Sequence, residues 1–88
     1  MRDDLLASIA ALDWQIAQLK KISVRIDGHA TSISLEEAYI DILLREAEAQ
    51  GLSFASLVTC VDEARPIGVN LSASLRLFAL ELAQHSKT

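Results

Sequence analysis

The sequence predicts a mainly α-helical domain built on one short β-ribbon, with an extra helix at each end. Three observations carry that prediction. Asp27-Gly28 stands between two runs of alternating apolar and polar residues, a hairpin signal, because a type I′ turn needs positive φ at both central positions. Gly51-Leu52-Ser53 separates two stretches with apolar residues at helical spacing, so one helix stops and another starts there. Finally, 51% of the 88 residues are apolar and the mean hydropathy is +0.28. A domain this small hides only part of its surface alone, so self-association is expected.

Taken in order, residues 3–20 are expected to form one amphipathic helix. Leu5, Ile9, Leu12, Ile16 and Leu19 recur at alternating steps of four and three, which is heptad spacing. The run holds only about two and a half heptads, too few for a coiled coil stable by itself. It can pair with its mate, build a tetramer, or lie on the main body. Trp14 falls off the seam and is expected to pack on the body. The chain thus divides into an N-terminal helix, 1–21, and a second unit, 22–88.

In the hairpin, a two-residue turn fixes the register. Ile26 pairs with His29, Arg25 with Ala30, Val24 with Thr31, Ser23 with Ser32, and Ile22 with Ile33. Cross-strand partners share a face. One face becomes Ile22, Val24, Ile26, His29, Thr31, Ile33 and Leu35; the other is Lys21, Ser23, Arg25, Ala30, Ser32 and Ser34. The turn alone sets the register, so this apolar/polar separation is independent support for the hairpin.

The next helix spans roughly Glu36 to Gln50. Ser34-Leu35-Glu36-Glu37 has capping-box spacing. Ile40, Leu43, Leu44 and Ala47 form its core stripe, widened by Tyr39 and Ile42. Gly51 suits a C-cap. Ser53 suits the N-cap of a helix running to about Arg65, which buries Leu57, Val58 and Val61 and ends before Pro66. Asn70 or Ser72 caps the last helix, whose stripe is Leu71, Leu75, Phe78 and Leu82, broadened by Leu77 and Ala79.

Composition narrows the function classes. The net charge of −4 doubles to −8 in a homodimer, so any nucleic-acid contact needs concentrated positive charge. Lys20, Lys21, Arg25 and His29 lie together, opposed locally only by Asp27. The lone Cys60 forms no internal disulfide, which fits a reducing cytoplasm. Arg2-Asp3-Asp4 and the lack of a long apolar run argue against a secretory leader and a membrane span. No nucleophile–base arrangement, phosphate-cradling glycine loop or metal-ligand spacing is present. No enzyme activity, cofactor or metal is therefore expected.

The run Ser23 to Glu36, with Gly51-Leu52-Ser53 and Asn70 to Phe78, resembles a small bacterial ribbon-helix-helix family. Its marks are an upstream strand, a Gly-His-x-Thr-Ser segment (Gly28 to Ser32 here) and an extra C-terminal helix. The match covers roughly residues 22–84. The part from strand through second helix is also similar to the Arc repressor. The resemblance implies an intertwined homodimer in which strand 30–35 pairs antiparallel with its mate. Its core would include Ile33, Leu35, Leu43, Val58, Val61, Leu75 and Phe78. It further implies a DNA-binding transcriptional regulator that inserts its β-ribbon into the major groove, with alternate ribbon residues Ala30, Ser32 and Ser34 facing bases. Ser53, at a helix start, would meet a phosphate, where free backbone N–H groups point outward.

Position 30 is often arginine in that family and is alanine here. The hairpin sets Arg25 beside it, so Arg25 can supply the guanidinium. Lys20, Lys21 and Ser23 are expected to face phosphates. Plainer roles stand beside these: Ser34 and Ser53 as helix caps, Lys20 and Lys21 as solubilising cations, His29 as a structural histidine, Cys60 as a packed thiol. The rival to DNA binding is a protein-interaction or assembly module, favoured by the acidic charge and the sparse ribbon face.

Overall fold

The Asp27-Gly28 turn organises the chain. Both residues have positive φ, +52° and +80°, as a type I′ turn demands. The computed structural model of the protein describes residues 2–85. Helix α1 (Arg2–Ala10) is followed by a short 3₁₀ turn (Trp14–Ala17), strands β1 (Leu19–Ile26) and β2 (His29–Glu36), then helices α2 (Glu37–Ala49), α3 (Phe54–Ala64) and α4 (Leu71–His85). The strands pair antiparallel without interruption, from Ile26–His29 at the turn to Leu19–Glu36 at the far end, in the register expected.

Helices cover one face of this hairpin. Val24, Ile26, Ile33 and Leu35 point into a core completed by Leu43 and Ala47 of α2, Leu57 and Val58 of α3, and Leu71, Leu75 and Ala79 of α4. Helix α3 lies against β1, and α4 against β2. Leu35, Leu43, Val58 and Leu75 are fully buried within the single chain. Val61 and Phe78 are only half-buried. The caps of the last two helices form as expected. The Ser53 hydroxyl accepts from the Ser56 N–H at 3.1 Å, and Asn70 Oδ1 accepts from the Ala73 N–H at 2.7 Å.

Several expectations are corrected. The helix over 3–20 ends at Ala10, and its five-residue stripe is split among α1, a turn, the 3₁₀ segment and β1. The reason is competition. Leu5, Ile9 and Leu12 find no burial, and a short helix without packing is marginal. Residues 19–21 instead extend the ladder, and the Gln18 carbonyl accepts from the Glu37 N–H at 2.9 Å. Asp13 caps the 3₁₀ turn by accepting from the Gln15 N–H at 3.1 Å. The Ser34 capping box does not form, because β2 continues through Glu36, which precedes α2 without a side-chain cap. Trp14 is exposed rather than packed, Cys60 lies exposed on α3, and Leu44 and Leu77 face outward.

The radius of gyration is 14.9 Å, with extents of 50 × 28 × 24 Å. A compact chain of this length has a radius near 12 Å. The excess fits an N-terminal arm that buries no residue. No described helix is long and apolar enough to cross a membrane.

Candidate nucleic-acid interface

The hairpin has an inner face against the helices and an outer face without cover. Burial alternates along both strands, as the pleat requires. Lys21, Ser23 and Arg25 of β1 and Ala30, Ser32 and Ser34 of β2 share the outer face. All are exposed except Ser34, which is half-buried. Lys20 departs from the opposite side, across from the buried Leu35, so of the two lysines only Lys21 shares this face. His29 pairs with Ile26 on the inner side but is exposed at the tip.

The bond from Glu37 to Gln18 also sets the phase of the ladder. Hydrogen-bonded and non-hydrogen-bonded pairs alternate in antiparallel strands. The hydrogen-bonded pairs are thus Lys20–Leu35, Ile22–Ile33, Val24–Thr31 and Ile26–His29. The N–H and C=O groups of Ala30, Ser32 and Ser34 accordingly point away from β1, along an open strand edge. Residues with outer-face side chains therefore also carry the edge hydrogen-bonding groups.

Arg25 and Ala30 form a non-hydrogen-bonded pair, the closer kind. The alanine methyl leaves room for the arginine stem. The Arg25 guanidinium donates through Nη2 to the Gly28 carbonyl at 3.0 Å, an exposed bond. Glu36, at the end of β2, is held by Arg76 of α4, whose Nε donates to its carboxylate at 2.8 Å. That hydrogen bond, with a further one from the backbone, lowers the Glu36 pKa below its ordinary value against a small opposing effect of burial. Among the described residues no other acid leaves the outer face of the ladder; the chain's negative charge lies mainly on α1 and the later helices. Arg76 was not foreseen as part of this surface, and no local spacing could reveal a pair 40 positions apart.

A second surface feature is an open apolar groove of about 680 Å³ between the end of α2, α3 and α4, lined by Leu57, Cys60, Val61, Leu77 and Phe78 among others. Among the described residues no cluster of histidine, cysteine or acidic side chains is arranged to hold a metal ion.

A family model described as ribbon-helix-helix domain matches residues 19–83, starting where β1 starts. No curated protein matches the chain. Among solved structures, an uncharacterized protein from Bordetella pertussis Tohama I superposes with a TM-score of 0.78 at 24% identity, over 93% of this chain and 70% of that one. At that identity the likeness concerns the fold.

Proposed function

Because the chain belongs to the ribbon-helix-helix domain family, we propose that it is a dimeric DNA-binding regulator that presents the outer face of its hairpin to duplex DNA. The carrying observation is the composition of that face. Lys21 and Arg25 stand beside small polar residues, and Glu36 is engaged by Arg76. The acidic chain thus gathers cations on one face of the element that names the family, where the acid of the ladder, Glu36, is paired with Arg76.

Dimerisation through β2 is part of the proposal. Each hairpin strand has one open edge. The outer-face side chains of β1 include Lys21 and Arg25, and charged residues on an edge strand discourage further pairing. Those of β2 short of its Glu36 end are Ala30, Ser32 and Ser34, small residues beside unpaired backbone groups. Antiparallel pairing of two β2 strands satisfies those groups and gives a four-stranded sheet under two-fold symmetry. The exposed Leu44, Leu77 and Leu80 add support for self-association. Regulation would follow from occupancy of DNA, with transcription blocked where the dimer sits.

A mobility-shift titration with duplex DNA from the protein's own upstream region tests the reading. A shift at micromolar protein in low salt is expected. No shift under those conditions, where electrostatic binding is strongest, removes it. In that event, co-purification with a stoichiometric protein partner and no nucleic acid would support the assembly-module alternative. Light scattering that finds a monomer at every concentration removes the dimer.

A further inference from the structure

When two hairpins pair through β2, as in the DNA-binding dimer on which this inference rests, the width of the sheet decides how DNA is held. The ladder between β1 and β2 is continuous over all eight residue pairs. Nothing splays β1 away, so the outer strand stays beside the inner one along its whole length. In a two-fold pair the order is β1, β2, then the partner's β2 and β1. Adjacent strands lie about 4.8 Å apart, which sets the outer backbones about 14 Å from each other. The major groove is about 12 Å wide and about 8.5 Å deep. Twist rotates each strand against its neighbour by about 20–25° but leaves the spacing unchanged.

A sheet wider than the groove rests on its rims. The inner strands span the opening, and the outer strands overlie the phosphate walls. Ala30, Ser32 and Ser34, on the inner strands, have side chains too short to reach base edges from that height. Lys21 and Arg25, on the outer strands, have long stems directly over the phosphates. The Arg25 bond to Gly28 is exposed, so a phosphate can share or replace it at little cost. We propose that the sheet straddles the major groove, with Lys21 and Arg25 of both chains clamping phosphates and no base read directly. The ligand is duplex DNA without regard to sequence, and the regulator works by coverage rather than at a single operator.

The test is fluorescence anisotropy of the full chain on two duplexes of equal length and composition, one from its upstream region and one scrambled. Salt is varied from 50 to 200 mM. Four phosphate contacts predict a slope of log K against log salt of about −3.6, roughly a 150-fold loss over that range. The affinities for the two duplexes should differ less than tenfold. Arg25→Ala removes two contacts per dimer and should flatten the slope to about −1.8, equally on both duplexes. Arg25→Lys keeps the charge and should keep the slope, although lysine cannot reproduce a bidentate guanidinium contact to a base.

A tenfold or greater preference for the upstream duplex overturns the inference and leaves the DNA-binding reading standing, most clearly if Arg25→Lys abolishes that preference. No binding to either duplex at 50 mM salt overturns both. Circular dichroism melts of each variant separate lost binding from lost folding.

Discussion

The two faces of the hairpin share one backbone and one ladder, yet carry opposite burdens. On the inner face Val24, Ile26, Ile33 and Leu35 are each at most 7% exposed. On the outer face Lys21, Ser23, Arg25, Ala30 and Ser32 lie open to solvent. The period of two in the strand makes this division possible. Fold information resides in one set of side chains and surface chemistry in the other, one residue apart. The outer face can therefore change its chemistry, even to alanine at position 30, without disturbing the core.

The sharpest way to break this contrast is to cut into the inner face. Leu35 is fully buried, and replacing it with alanine should cost roughly 2–5 kcal/mol. Small domains hold only about 5–15 kcal/mol in all, so Leu35→Ala should show a much lower urea midpoint and lose DNA binding only as it unfolds. The turn serves both faces equally. Gly28 has φ of +80° and open space around its α-carbon, so Gly28→Ala meets backbone strain without a clash. A loss of about 1 kcal/mol in a denaturant melt is expected. On the outer face, Lys21→Ala and Ser32→Ala should each shift stability by no more than about 0.5 kcal/mol. Of the two, only Lys21→Ala should weaken DNA binding. If Lys21→Ala destabilised as much as Leu35→Ala, the separation of the faces would be wrong.

Two serines sharpen the same contrast. Ser53 accepts from the Ser56 N–H, and Ser53→Ala should cost about 1 kcal/mol by denaturant melt. Ser34 sits in mid-strand with no cap to make, so Ser34→Ala should be near neutral. Ser34 has capping-box spacing, but β2 runs through Glu36, one residue farther than its own alternation reveals.

That case shows which parts of the molecule were legible in the sequence. The hairpin register, and with it the outer face from Lys21 to Arg25 and from Ala30 to Ser34, followed from Asp27-Gly28, because a two-residue turn leaves no freedom to slip. The caps at Ser53 and Asn70 were legible because capping is local. The far end of the ladder was not. Leu19 and Lys20 fit a helix by spacing, and only their partners Glu36 and Leu35 make them strand. Heptad spacing at Leu5, Ile9 and Leu12 reported a pattern without a surface to bury it. Arg76 was invisible for a related reason, since its link to Glu36 exists only once α4 has docked beside β2.

The Glu36–Arg76 pair sits where the outer face meets the helices, and it gives the smallest predicted effect. The Arg76 hydrogen bond is the main cause holding the Glu36 carboxyl below its ordinary pKa of 4.5. A group with a depressed folded pKa contributes stability above its unfolded value and loses it as pH falls through the folded one. The wild-type chain and Arg76→Ala should therefore differ slightly in urea midpoint at pH 6 and converge below pH 4.5. Both side chains are about one-third exposed, so solvent screening keeps the difference small. A difference that persisted unchanged at pH 3 would mean Arg76 acts through packing of its stem rather than its charge. At neutral pH the same variant leaves the Glu36 carboxylate uncompensated beside the cationic strands. It should then also weaken DNA binding modestly, by less than Arg25→Ala, because repulsion from one end of the sheet is added while both clamp residues remain.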